Sequence, residues 1–519
     1  MKLNDSGLKN REQWIEAGFE LPMYDREKVR ENTLKNPVWL HFGAGNIFRA
    51  FPAALQQKLL NEQKSDRGII VCEGYDYEII ERAYRPYDNL SVLVVLKPDG
   101  NMEKKVIASV VEALTADTGN HEHWNTLKRI FSNPSLQMVS FTITEKGYNL
   151  KNAKGDYYPD VISDFEAGPE APRSFIGKLT ALCHERYKSG KYPLALVSMD
   201  NCSHNGTRLY EAVSTIAAEW VRNGLVDEGF AEYIEDPDKV SFPWSMIDKI
   251  TPRPDPGVKE MLEKCGFEST ELIITSKNTY TAPFVNAEEP QYLVIEDMFP
   301  NGRPPLEDAG VIFTDRETVD KVEKMKVCTC LNPLHTALAV YGCLLGYKAI
   351  YEEMKDEQLK ALVKKVGFEE GLPVVINPGI ISPEDFIREV VEVRLPNPFM
   401  PDTPQRIATD TSQKLAIRFG ETIKAYRKRN DLNVTDLKYI PLVLAGWLRY
   451  LLGVDDEGNS FDLSPDPLMD HLKKVMEGIR LGDKGPFDEK LKPVLSDSSI
   501  FGVDLYEAGL AAKVLGYFE

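Results

Sequence analysis

The run Val38-Trp39-Leu40-His41-Phe42 is stopped by Gly43-Ala44-Gly45 and followed by apolar residues at Phe48, Phe51, Leu55 and Leu59. This is the feature that most narrows what the chain can become. A short apolar run ending at two closely spaced glycines reads as a strand entering a tight turn, and the 3/4 spacing after it predicts a helix over residues 47–60. Strand, glycine turn and helix open a βαβ unit. Such a turn lets backbone approach a pyrophosphate, and the helix start offers it N–H donors. Phe48 stands where the third glycine of G-x-G-x-x-G belongs, so the motif alone fits a plain strand-to-helix turn equally well. A carboxylate closes the next apolar run: Glu73 follows Ile69-Ile70-Val71-Cys72. From that position an acid accepts hydrogen bonds from an adenosine ribose, which favours NAD over NADP. Its separation from Gly43 exceeds the usual ~20 residues, which predicts a longer helix and loop between them. The alternative for Glu73 is a solvated loop acid.

Further β-like runs at residues 90–96, 106–111, 138–144 and 194–198 alternate with helical or turn-rich segments. That alternation predicts a largely parallel, doubly wound α/β sheet. A β-like block at 272–296 precedes a Pro/Gly-rich joint, Phe299-Pro-Asn-Gly-Arg-Pro-Pro305, and beyond it the texture is helical. Helices are predicted over 332–354, 356–366, 383–393, 412–428, 437–452, 468–479 and 505–517, the first with Asn332 as N-cap and Pro333 at the first helical position. The expected organisation is an N-terminal extension (residues 1–37) packed on the first domain, a Rossmann-like dinucleotide-binding domain (38–300) and a mainly α-helical substrate domain (301–519).

Composition removes several classes. Among 519 residues, 80 acidic side chains against 62 basic give a net charge of −18. Binding to nucleic acid or to an anionic membrane rests on clustered Lys and Arg, so neither partner is expected. The most apolar stretch, residues 440–452, is short for a bilayer and holds Arg449, and the N-terminus lacks the apolar region of a secretory signal. Seven scattered cysteines, an odd number, read as reduced thiols in the cytoplasm. Cys328 and Cys330 have no second Cys/His pair nearby, and His121 and His123 lie in a polar helix-start loop that reads as solvated surface. No metal ligand set is expected. G-x-S-x-G, Walker A and H-E-x-x-H are absent.

Two further constellations carry chemistry. Ser198-Met-Asp200-Asn201-Cys-Ser-His204-Asn-Gly206 follows an apolar strand, at the carboxyl end where open α/β sheets bind ligands. Asn201 offers an amide donor for a carbonyl; the alternative is that Asp200 and Asn201 form an Asx turn. In Lys326-Val-Cys-Thr-Cys-Leu-Asn332-Pro-Leu-His335, Asn332 and His335 share a helix face. Lys326 lies just upstream in an apolar, strand-like run, a setting that poises an ammonium for proton transfer. The plainer alternatives are a cap for Asn332, a hydrogen-bonded core histidine for His335 and a snorkelling Lys326.

These blocks occur in order with TITEKGY (142–148), FPWSMIDKITP (242–252), VIEDMFPNGRP (294–304), RLPNP (394–398) and TSQKL (411–415). Together with GAGNIFRA (43–50) they make the sequence resemble the polyol-specific long-chain dehydrogenase, or mannitol dehydrogenase, family from about Val38 to the C-terminus. Within it, the length and longer N-terminus look most like the fructuronate reductase (D-mannonate oxidoreductase) branch. The resemblance implies an NAD(H)-dependent secondary alcohol dehydrogenase without a metal, acting on D-fructuronate and D-mannonate in cytoplasmic hexuronate catabolism, as a monomer or small homo-oligomer. It makes Lys326 the general acid/base, Asn201 and Asn332 the groups that polarise the carbonyl, and His335 the residue that orients substrate. Gly43, Ala44, Gly45, Asn46, Ile47, Phe48, Glu73 and Thr144 would hold the cofactor, and Arg394 and Lys414 the substrate carboxylate. Tagaturonate or a neutral ketose is the alternative substrate; a dinucleotide-binding sensor without activity is the alternative class. Two departures stand out. Five residues separate Lys326 from Asn332 where the family commonly has four, which calls for a one-residue bulge or for Lys324 as substitute. Asn46-Ile47 occupies a part of the glycine turn where relatives often have a further small residue.

Overall fold

Six parallel strands build the central sheet of the computed structural model, which describes residues 1–519. They are β1 (Trp39–Phe42), β2 (Ile69–Glu73), β3 (Val110–Thr115), β4 (Met138–Phe141), β5 (Leu194–Ser198) and β6 (Val240–Ser241), in the order β3-β2-β1-β4-β5-β6. The chain steps outward from β1 to β3, then returns to lay β4 on the other side of β1. The switch point of a doubly wound sheet therefore falls between β1 and β4. Side chains alternate to two buried faces. Leu40, Phe42, Ile70, Cys72, Val139 and Phe141 share one core, while Trp39, Ile69, Val71, Met138 and Val197 join the other. Both faces being covered is why these strands read as near-continuous apolar runs.

Three sequence expectations change here. The helix over 47–60 is two helices, α1 (Asn46–Ala50) and α2 (Pro52–Asn61), broken at Phe51 because Pro52 has no N–H and restricts the residue before it. The run at 90–96 does not join the parallel sheet. Ser91–Leu96 pairs antiparallel with Met102–Ile107 through a Pro98-Asp99-Gly100 turn, and parallel with Phe284–Glu288, in a separate four-stranded sheet. The run at 106–111 divides between that sheet and β3.

The chain forms two units, Met1–Val319 and Asp320–Glu519. In the first, the N-terminal strand Phe19–Glu20 pairs with Met102–Ile107. Near the start of the second, α3 (Arg316–Met325) continues into a π-helical turn, Lys326–Cys330, and then α4 (Asn332–Leu344). Lys326 is thus helical rather than in a strand-like run. Asn332 and Pro333 are the first two residues of α4 rather than cap and first residue; Leu331, with φ −126° and ψ −61°, stands ahead of them as the cap. The helix stops at Leu344, two residues before left-handed Gly346, instead of running to 354. The run Arg316–Leu344 is long and apolar enough to cross a membrane, but 72% of its most apolar window is buried within the protein, the mark of a core helix.

Glu353 packs against α4 at Gly342, fully buried, with neither carboxyl oxygen hydrogen-bonded. Burial pushes this carboxyl up to about 9. In the unfolded chain it ionises from about pH 4.5, so between those values folding holds a proton that the unfolded state releases, and stability falls as pH rises. Glu353→Gln is expected to raise Tm by several degrees at pH 8 and hardly at pH 5. An equal gain at both pH values in thermal melts would contradict this origin.

Candidate active site

Gly43 follows β1 with φ +103°, and a Cβ there would lie 2.1 Å from the O of Thr142, the residue after β4. Its N–H bonds Cys72 O (2.9 Å) while Thr142 N–H bonds Phe42 O (2.9 Å), so the turn is wedged into the switch point of the sheet. Only glycine fits both demands. Around Gly45 a Cβ would meet nothing within 4 Å, which leaves this backbone open to a ligand's close approach. The turn is braced from beneath. His41 Nδ1 and Nε2 contact the hydroxyls of Ser140 (2.6 Å) and Thr142 (2.8 Å), and Phe48 stacks on its ring at 4.2 Å. Burial holds His41 down to about 3, so the imidazole is neutral at physiological pH. Phe48, where a third glycine is usual, thus fills the helix–strand contact with an aromatic pair. At the departure Asn46-Ile47, Asn46 Oδ1 accepts from buried Arg49 (2.8 Å), Ile47 being partly buried.

Glu73 is buried, and its carboxylate gathers the turn: Oε2 accepts from Ala44 N–H (2.9 Å), and Oε1 from Tyr75 (3.0 Å) and Asp76 (3.3 Å) N–H. Burial raises this carboxyl, against the lowering effect of the three N–H donors. A carboxylate has about four acceptor positions, so Oε2 keeps capacity for a further donor.

The turn after β5 is also built around a partly buried acid. Asp200 reaches across to the loop after β4. It accepts from Ile143 N–H and Thr144 N–H (both 2.9 Å) and from Tyr148 OH (2.5 Å), joining the loop after β4 to the turn that carries exposed Asn201. Thr144 is held at φ +66°, a costly setting for a β-branched residue that persists only where neighbours over-determine it. The first unit thus brings Gly43–Phe48, Glu73, Thr144 and Asn201 to the carboxyl edge of one sheet.

In the second unit, Lys326 opens the π turn, where Leu331 N–H bonds Lys326 O at 3.1 Å. An i→i+5 ring takes up one residue more than an α turn. The extra residue between Lys326 and Asn332 is therefore absorbed as the bulge the spacing called for. Lys326 is 4% exposed, while the side chain of Lys324 is 49% exposed and paired with Asp320 at 2.6 Å. His335 lies 4.0 Å from Asp402, whose other oxygen pairs with Arg406. Burial brings His335 down to about 4; Asp402 opposes this, while Arg394, Arg418 and Arg406 add to it. The imidazole is neutral at pH 7, with Asp402 beside it and the positive charge of Arg394, Arg418 and Arg406 acting on it. Arg394 is buried at the end of another π turn, Val390–Arg394. Lys414 is partly buried and donates to Thr409 O (2.5 Å).

Sequence reasoning passed over Asp200 as a brace and over Arg418 near His335, whose partners lie far along the chain; it also passed over Arg406, although its partner Asp402 is only four residues away. His123, read as solvated surface, is buried, its Nδ1 accepting from Thr115 N–H at 3.0 Å.

Residues 38–308 match the mannitol dehydrogenase Rossmann domain and residues 318–517 the mannitol dehydrogenase C-terminal domain. A D-mannonate oxidoreductase of Thermotoga maritima is 56% identical over 100% of this chain and 96% of its own length. One from Escherichia coli is 29% identical over 93% of this chain and 91% of its own. Among solved structures, the ternary complex of Pseudomonas fluorescens mannitol 2-dehydrogenase with NAD and D-mannitol is similar at a TM-score of 0.69 and 26% identity, covering 100% of this chain and 96% of that one. With both family domains matched along nearly its whole length, this chain belongs to the mannitol dehydrogenase family.

Proposed function

We propose that this chain is an NAD(H)-dependent oxidoreductase that interconverts D-fructuronate and D-mannonate in the cytoplasm. One observation carries the substrate: the full-length relative at 56% identity is a D-mannonate oxidoreductase. The guanidinium groups around His335 agree, since they suit an acid better than a neutral polyol.

The open backbone at Gly45 and the acceptor capacity left on Glu73 fit a dinucleotide, with the turn Gly43–Phe48 taking the pyrophosphate, Glu73 the adenosine ribose, and Thr144 the loop beside them. When bound, the cofactor supplies the hydride to the keto carbon, or takes it back from the alcohol. The protein's part is the oxygen. Asn201 and Asn332 donate carboxamide N–H bonds to it as negative charge develops. The Lys326 ammonium delivers the proton that completes the alcohol; in the oxidative direction the neutral amine removes it. Neutral His335 fixes a neighbouring hydroxyl, and Arg394 and Lys414 make the surroundings positive for the sugar acid. The purified chain is expected to consume NADH with D-fructuronate and to form it from D-mannonate and NAD+. Absorbance that changes in neither direction would contradict the assignment.

Glu73→Ala is expected to lower kcat/KM for NADH about tenfold or more, because the ribose acceptor at Oε2 and the tie to Ala44 go together, and to narrow the preference over NADPH. Steady-state kinetics with both cofactors checks it; an unchanged preference would remove Glu73 from ribose recognition.

A further inference from the structure

In a chain of net charge −18, the surroundings of His335 are conspicuously basic. Two π turns of the second unit deliver part of this charge: Val390–Arg394 and Ala416–Gly420 contain Arg394 and Arg418. π turns are rare and recur at functional sites. Arg418 differs from the other cations. Arg406 is exposed and paired with Asp402, and Lys414 hands its ammonium to Thr409 O. Partly buried Arg418 has a neutral partner: Nη1 donates to Thr336 Oγ1 at 2.6 Å, and that hydroxyl in turn donates to Asn332 O at 2.9 Å. This fastens the guanidinium beside the first turn of α4, one residue along from His335. Desolvation brings Arg418 down to about 10, with no acidic side chain opposing it. The same crowding acts on Lys414, lowered by burial and then by Arg418.

Desolvated cations are normally paired with acids. One held in place by a hydroxyl alone keeps donors for an anion that arrives with the ligand, and its planar fork matches a carboxylate. We propose that Arg418 receives the carboxylate of the substrate, an inference that rests on the sugar-acid reading above. It makes Arg418 the residue that separates sugar acids from neutral ketoses, within the positive field of Arg394 and Lys414.

The test compares Arg418→Met and Arg418→Lys with the wild type, reading kcat/KM for D-fructuronate and D-fructose together with Tm. The fructuronate-to-fructose ratio is expected to fall about 100-fold in Arg418→Met and to recover in part in Arg418→Lys. Tm holds or rises, because no protein carboxylate loses a partner. Where fructose turnover is too slow to measure, the Kd of D-mannonate in the non-reacting complex with NADH replaces the ratio, with the same expected change. Equal losses on both substrates, an unchanged ratio or an unchanged D-mannonate Kd would overturn the role of Arg418. A wild type inactive on both D-fructuronate and D-mannonate would instead overturn the sugar-acid reading, and this inference with it.

Discussion

Lys326→Ala is expected to lose about a thousandfold in kcat while NADH still binds. The lysine is buried in its π turn, so removing it leaves the developing alkoxide without a proton donor in a place bulk water reaches poorly. The glycine turn and Glu73 belong to the other unit and keep their own hydrogen bonds, so NADH fluorescence titration is expected to give a near-unchanged Kd. Lys326→Arg is not expected to restore turnover, since a guanidinium does not give up its proton at usable pH. A Lys326→Ala enzyme with near-normal kcat would move proton transfer elsewhere, with Lys324 the first alternative to examine.

Asn332→Ala is expected to lower kcat about 100-fold or more, with a smaller effect on KM, because a hydrogen bond to the oxygen strengthens as charge develops on it. The local backbone is not expected to suffer: the helical contact at this residue is made by its carbonyl, which accepts from Thr336 Oγ1 and is unchanged by the substitution. Asn332→Asp is expected to be worse still, placing an anion beside an anion. Unchanged kcat with raised KM in steady-state kinetics would mean that Asn332 binds ground state and transition state alike.

What the sequence revealed follows from the range of the interactions involved. β1, its glycine turn, and the strand closing on Glu73 are local patterns, with side-chain alternation and backbone geometry carried by adjacent residues. The parallel pairing of Ser91–Leu96 with Phe284–Glu288 was not legible, because the two lie far apart along the chain; its hairpin with Met102–Ile107 is local, carried by the Pro98-Asp99-Gly100 turn. The spacing from Lys326 to Asn332 announced an irregularity but not its form; a π turn looks, residue by residue, like any apolar helix. Glu73 was visible as an acid at a strand end, whereas its bond to Ala44 N–H depends on how β1 and β2 pair. Arg418 had no local signal at all, since its meaning comes from Thr336 and His335 on a distant helix.

The central claim is the substrate, and the most direct measurement is NADH consumption with D-fructuronate, D-tagaturonate and D-fructose in parallel, with a chelator present. The account predicts that D-fructuronate has by far the highest kcat/KM and that the chelator leaves the rate unchanged. Faster turnover of D-tagaturonate or D-fructose would contradict it.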